Sequence, residues 1–300
     1  MEYVVGVDAG GTKTSAALYD EEGRTLFEAR TGHGNMTVNP DAAILNIVTA
    51  AAECVGACPG PDNLHIIVGA AGISAEGNAQ ALAAAFKARL PNSPVRIEGD
   101  AILALYALTK GRDGILVISG TGTIAHGKYN GVQHRIGGWG HILGDEGSGY
   151  QIARLAFTNV TREYDSGTGY GLMSRMLMEK FNGDINVMIK YVYAASKSEI
   201  AGFLPMVDQA AAGGDETAAA LLNDAGLYLA GLAEILWRRL GYTGRATVVY
   251  KGGVIEKSAP VRRAFVNALP PEKFLVSPES APSELGAYYM HFDKAANHSY

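Results

Sequence analysis

"YVVGVDAGGTKTSAALY" occupies residues 3–19, and "ILVISGTGTIAHGKYNGV" occupies 115–132. Each is an apolar run that breaks at a glycine–threonine turn and returns as a second strand. The first turn leads into a strand and not a helix, which excludes a dinucleotide-binding fingerprint. The G-x-x-x-x-G-K-[ST] spacing of a Walker A loop is also absent. The two stretches read as the openings of two similar domains, 1–113 and 114–300, an internal repeat at the level of pattern.

Outward from these stretches, strands and helices alternate. Residues 14–30 read as two strands about a turn at Glu22-Gly23, 41–58 as a helix, 64–73 as a strand and loop, and 78–90 as a helix. "VRIEGD" (95–100) is a strand that ends on an acid, followed by a helix over 101–110. From 147 the pattern is mostly helical. The longest helix runs 215–240, with Asp215 as N-cap and Gly241 as its stop. "RATVVYKGGVIEK" (245–257) is a buried strand that meets a glycine pair. Residues 283–295 close as a helix capped by Ser283, with Glu284 in its first turn. This alternation predicts an α/β fold.

Composition narrows the class. The 300 residues are 48% hydrophobic and 18% charged, enough for a substantial core and two domains. A net charge of −5 argues against broad nucleic-acid binding. The two cysteines, Cys54 and Cys58, imply no disulfide framework and fit a reducing compartment. The N-terminal pattern is not that of a signal peptide. No apolar stretch reaches the roughly 20 residues of a membrane helix. A cytoplasmic protein without nucleic-acid or membrane partners is expected.

The glycine turns have a chemistry of their own. In "DAGGTKT" (8–14), Gly10 and Gly11 let backbone N–H groups approach an anion, Thr12 and Thr14 add hydroxyls, and Lys13 adds a cation. Asp8, at the strand end, is placed to hold a magnesium ion through water. "SGTGT" (119–123) repeats the arrangement with Gly120 and Thr121. Gly252 and Gly253 would let a flat ring lie against backbone. Taken singly, each turn also reads as an ordinary bend in a sheet. In "GGWGHILGDEGSGY" (137–150), Trp139 offers a rigid apolar face and Asp145 a two-oxygen acceptor, on backbone that glycine leaves free to wrap a ligand. Glu146 near a helix start and the lone His141 read as structural. Asp100 reads either as the N-cap of the helix after it or as a proton acceptor at a strand end.

Together and in this order, "VDAGGTKT", "ILVISGTGT" and "VVYKGGV" resemble the first phosphate, second phosphate and adenosine motifs of the actin-like ATPase and sugar kinase superfamily. "GDAILAL" (99–105) and "IGGWGHILGDEGSGYQIAR" (136–154) are similar to the N-acetylglucosamine kinase family, also called the BadF/BadG/BcrA/BcrD ATPase family. The resemblance implies two ribonuclease-H-like domains, with ATP, Mg2+ and a small sugar in the cleft between them. It implies transfer of the γ-phosphoryl group to the 6-hydroxyl of N-acetylglucosamine, N-acetylmuramic acid or glucosamine. The first domain would carry the sugar and phosphate contacts, and the second the nucleotide. By resemblance, Asp100 matches the catalytic aspartate, and Asn35, Gly138, Trp139 and Asp145 match sugar contacts. Thr12 and Thr121 match phosphate contacts, Gly252 and Gly253 the adenosine site, and Ala211 a nucleotide-contacting alanine. The last helix would pack back toward the first domain. A homodimer is common in the family.

Two other readings share some of these features. An ATPase activator of a 2-hydroxyacyl-CoA dehydratase shares the fold but holds an iron–sulfur cluster through exposed cysteines. Cys54 and Cys58, four apart on a helix, read instead as small apolar side chains. A sugar sensor without catalysis would couple to DNA, for which neither a helix-turn-helix nor a basic patch is seen.

Overall fold

A computed structural model describes residues 1–292 of the chain. The chain divides into two compact units, one of residues 1–114 with the segment from Glu279 onward, the other Ile115–Pro278.

The first unit is built on β1 (Tyr3–Ala9), β2 (Thr14–Asp20), β3 (Thr25–Thr31), α1 (Pro40–Gly56), β4 (Leu64–Ala70), α2 (Asn78–Arg89), β5 (Val95–Gly99) and α3 (Asp100–Thr109). Its sheet has the order β3-β2-β1-β4-β5. β1 runs antiparallel to β2 and parallel to β4, and β4 is parallel to β5. Alternation along the strands gives the sheet two apolar faces. Val5, Val7 and Leu18 pack with Ile47 and Phe86 of the helices on one side. Val4, Tyr19 and Ile67 pack with Leu103 and Met290 on the other.

The closing segment departs from its expected cap. Ser283 lies inside a single 3-10 turn, Ser283–Leu285, flanked by Pro282, and the helix proper is Gly286–Phe292. Residues 293–295 of the expected helix lie outside the described residues. Asp100 is likewise not the N-cap of α3. Gly99 holds that place, and Asp100 is the first helical residue.

The second unit contains β6 (Gly114–Ser119), β7 (Thr123–Tyr129), β8 (Val132–Gly137), α4 (Gly149–Ser166), α5 (Leu172–Glu179), α6 (Ile185–Ala194), α7 (Lys197–Ala201), α8 (Leu204–Ala212), α9 (Glu216–Arg239), β9 (Ala246–Lys251), α10 (Gly253–Lys257), α11 (Ala259–Ala268) and β10 (Phe274–Ser277). Its sheet order, β10-β9-β6-β7-β8, is the first unit's order with the corresponding strands in the corresponding places. The repeat seen as pattern in 3–19 and 115–132 is thus a repeat of topology.

β8 was not expected as a strand. It exists because Asn130 and Gly131 both take positive φ, 49° and 78°, which is the tight turn that folds β8 antiparallel onto β7. α9 is the one helix among the described residues long and apolar enough to cross a membrane. Its Leu222, Leu229 and Leu236 are fully buried in the core of the second unit, the role of a central helix in a packed domain. Asp215 caps it as expected, accepting from the Ala218 N–H at 2.9 Å, and Gly241 follows it with φ 71°.

Candidate active site

In the first unit the candidate residues gather at the C-terminal edge of the parallel strands, where α/β sheets place their ligands. Ala9 pairs with Ala70, and Ala70 with Gly99, so the chain ends carrying Asp8 and Asp100 lie along one edge. The glycine turn after β1 is closed by the Gly10 N–H on the Lys13 carbonyl, 3.0 Å. Gly11, Thr12 and Lys13 are exposed on it. Thr14 is not: it begins β2 with no exposed surface, and its hydroxyl is buried without a hydrogen-bond partner. The expected phosphate contact from Thr14 therefore has no outward-facing group in this structure.

The Asn35 loop is laid against the same turn. The Gly34 N–H donates to the Gly10 carbonyl at 2.8 Å, and the Met36 N–H to the Ala71 carbonyl at 2.9 Å. Asn35 Oδ1 accepts from the Thr37 N–H at 2.9 Å and the Thr37 hydroxyl at 2.7 Å, which leaves its amide nitrogen as the outward donor. Asp100 is half-buried, and its Oδ1 accepts from the Ala101 N–H at 2.9 Å. The carboxylate thus serves a first-turn amide of α3.

In the second unit three separate stretches of chain meet at the ends of β6 and β9. The Gly120 N–H closes the 119–123 turn on the Gly122 carbonyl, 3.0 Å. The Ser119 hydroxyl donates to the Gly147 carbonyl at 2.7 Å, and the Gly149 N–H to the Gly120 carbonyl at 2.9 Å. The Gly252-Gly253 pair abuts the same turn, as the contact of Gly252 with Ser119 and Gly120 requires. Ser148 caps α4, an 18-residue helix whose N-terminus therefore opens beside the turn. Backbone amides and a helix N-terminus gathered in one place form a setting for anionic oxygen.

Trp139 is 63% exposed, so it is no core residue. The Arg135 guanidinium lies 4.5 Å from its ring centroid. Ile142 and Leu143 beside it are also largely exposed, an apolar edge that the sequence reading did not single out. Asp145 is only 5% exposed and takes φ 66°, a left-handed conformation that aspartate tolerates better than most residues. Its Oδ1 accepts from the Thr123 N–H at 2.9 Å, and its Oδ2 from the Lys197 ammonium at 2.6 Å. Glu146 is hydrogen-bonded to Tyr228, and burial first, then this carboxylate, pushes the Tyr228 hydroxyl up to about 12. His141 makes an edge contact with Tyr150, ring centroids 5.1 Å apart.

Ala211 lines an open cavity of about 780 Å³ between α8, α9 and α11, together with Asp208, Asn223, Lys257, Arg263 and Asn267. Burial raises the Asp208 carboxyl above the usual carboxylate range, against a 2.5 Å hydrogen bond from the Ser258 hydroxyl. A planar ligand with polar edges fits such walls: alanine methyl groups for its faces, amide and charged groups for its rim. Lys197, Asn223 and Arg263 escaped the sequence reading. They lie on three different helices, and no spacing connects them to the glycine motifs.

Two five-stranded sheets of one strand order, each with a glycine turn between its first two strands, define an α/β protein of the actin-like ATPase and sugar kinase fold. A protein from Chromobacterium violaceum described as a candidate N-acetylglucosamine kinase shares it, with a TM-score of 0.74, 24% identity, and coverage of 96% of this chain and 98% of its own. The profile of the BadF/BadG/BcrA/BcrD ATPase family matches residues 5–284, and the chain belongs to that family. An N-acetyl-D-glucosamine kinase of Dictyostelium discoideum is 30% identical over 279 residues, 85% of this chain and 86% of its own. An N-acetylmuramic acid/N-acetylglucosamine kinase of Clostridium acetobutylicum is 28% identical over 244 residues, 75% and 76% of the two chains.

Proposed function

We propose that this chain is an ATP-dependent kinase that phosphorylates the 6-hydroxyl of an amino sugar, N-acetylglucosamine foremost. The observation that carries the reading is the junction of the 119–123 turn, the 145–149 segment and the Gly252-Gly253 pair in the second unit, in a chain whose relatives include N-acetylglucosamine, N-acetylmuramic acid and glucosamine kinases.

Phosphoryl transfer asks mainly for positioning and charge neutralisation. Gly11, Thr12 and Lys13 in the first unit, and Thr121 in the second, supply amides, hydroxyls and a cation for phosphate oxygens, while Gly10 and Gly120, whose N–H groups close the two turns, let the backbone come close. The cavity beside Ala211 takes the base, and Gly252 and Gly253 the ribose side of the nucleotide. Asn35, Gly138, Trp139 and Asp145 hold the sugar. Asp100 accepts the proton of the attacking hydroxyl as the new O–P bond forms and the bond to the ADP leaving group breaks. Asp8 fits a magnesium ion by donor type, a half-buried carboxylate oxygen at a strand end. No group of three or more acidic, histidine or cysteine side chains suited to a metal occurs among the described residues. Such an ion would therefore take its remaining ligands from nucleotide phosphates and water, as magnesium commonly does. When bound, it would supply neutralisation of phosphate charge.

The activator reading loses one of its two candidate ligands. Cys54 is fully buried in α1, and burial pushes its thiol up to about 12, the opposite of what cluster ligation needs.

A coupled ADP-release assay with Mg-ATP tests the proposal against N-acetylglucosamine, N-acetylmuramic acid, glucosamine, glucose and N-acetylmannosamine. Fast release with one or two amino sugars is expected. Silence across the panel, with slow sugar-independent hydrolysis, would overturn it.

A further inference from the structure

We propose that Lys197 is a positioning residue: its ammonium holds Asp145 and so locks the 137–149 segment to the 119–123 turn in one geometry. The inference rests on the kinase reading of those two segments, one as sugar contact and one as phosphate turn.

Four observations within the second unit carry it. First, the Asp145 carboxylate lies flush against the turn. It accepts from the Thr123 N–H, and a Cβ on Gly122 would stand 2.8 Å from its Oδ1. Second, Asp145 has a left-handed backbone, a conformation that persists when its surroundings determine it. Third, the buried carboxylate is paired with the Lys197 ammonium at 2.6 Å, from 52 residues along the chain, its one cationic partner among the described residues. Removing that partner strands a buried charge. Fourth, Lys197 is itself fixed. It is the first residue of α7, where Ser196 and Glu199 form a reciprocal capping box. The Ser196 N–H donates to Glu199 Oε2 at 2.7 Å, and the Glu199 N–H to Ser196 Oγ at 3.3 Å. These bonds hold the Glu199 carboxyl below the usual range.

The result is a closed circuit. The 145–149 segment starts α4, α7 packs against α4, and Lys197 returns from α7 to Asp145. Lys197 still has a third of its side chain exposed, so substitution there need not disturb the core.

The test is calorimetric binding of Mg-AMPPNP and of N-acetylglucosamine, measured separately, to wild type, Lys197→Met and Lys197→Arg, with thermal melts alongside. Methionine keeps the length and helix preference of lysine and removes the charge. Lys197→Met is expected to weaken both ligands about tenfold, and Lys197→Arg to recover most of the loss. Unchanged affinities with a lowered melting temperature would overturn the proposal, since the pair would then serve stability alone. Loss of sugar affinity with nucleotide affinity intact would overturn it too, because the turn would not depend on Lys197. If Lys197→Met does not fold, Lys197→Met/Asp145→Asn removes the stranded charge, and only its nucleotide affinity is read, because Asp145 is itself placed with the sugar: a tenfold loss supports the proposal and an unchanged value overturns it. If wild type binds Mg-AMPPNP but none of the five sugars of the assay panel, the kinase reading falls. The nucleotide affinity of Lys197→Met then decides the coupling by itself: a tenfold loss supports it and an unchanged value ends it.

Discussion

Gly252 stands against Ser119 with no room between them: a Cβ on Gly252 would lie 2.4 Å from the Ser119 carbonyl oxygen. Its φ of 109° is also closed to L side chains. Gly253, next in the chain, is exposed, and a Cβ there would meet nothing within 4 Å. The two glycines therefore have different reasons to be glycine. Gly252→Ala is expected to cost at least about 2 kcal/mol of stability in urea unfolding, from backbone strain and the clash with β6. Gly253→Ala is expected to leave stability within about 0.5 kcal/mol and to raise the KM for ATP, because close approach of the nucleotide is its remaining reason. An ATP KM unchanged in Gly253→Ala would remove that residue from the nucleotide site.

Asp100→Asn separates the two things its side chain does. The amide oxygen of asparagine can still accept from the Ala101 N–H, so α3 should keep its first turn and its melting temperature. The proton acceptor is gone. Turnover is expected to fall by about 10²–10⁴, the usual contribution of a positioned base, with sugar affinity retained. A rate within a few-fold of wild type would move the base elsewhere.

How far the chain could be read before folding depended on the range of each interaction. Strand–turn–strand repeats, the Asp215 cap and the glycine pair after β9 are local, and their signals lie within a few residues. β8 had such a signal too: Asn130-Gly131 is a strong short-range hairpin signal. Ser283 looked like a cap by residue type, but Pro282 before it and the 3-10 turn it enters shift the helix start to Gly286. Lys197 could not be found in this way. Its partner is 52 residues distant, and the pairing exists because α7 packs on α4. The same holds for the cavity beside Ala211, whose walls come from separate helices.

Trp139 tests the sugar side. With 63% of the residue exposed, its indole contributes little to the core. Trp139→Ala should therefore melt close to wild type, within about 0.5 kcal/mol. A stacking platform lost from a sugar contact should raise the sugar KM roughly tenfold or more, while the ATP KM stays put. A rise in the ATP KM alone would place the indole with the nucleotide.

His126 predicts an acid limit to stability. It lies on β7 opposite Arg135 of β8, and burial, then the Arg135 charge, lower its imidazole from 6.5 to about 4. The unfolded chain therefore binds this proton first as pH falls. The contribution is whole above pH 6.5, is lost progressively between 6.5 and 4, and levels off below, where both states are protonated. Across that window the loss is on the order of 3 kcal/mol. His126→Gln cannot take the proton, so its stability should decline less steeply over the same range. Urea unfolding of both proteins at intervals from pH 7.5 to 4 measures the difference directly, with every other titrating group common to the pair. Parallel curves would mean that His126 reaches solvent freely when folded, and that the β7–β8 hairpin is looser at this point than its register with Arg135 indicates.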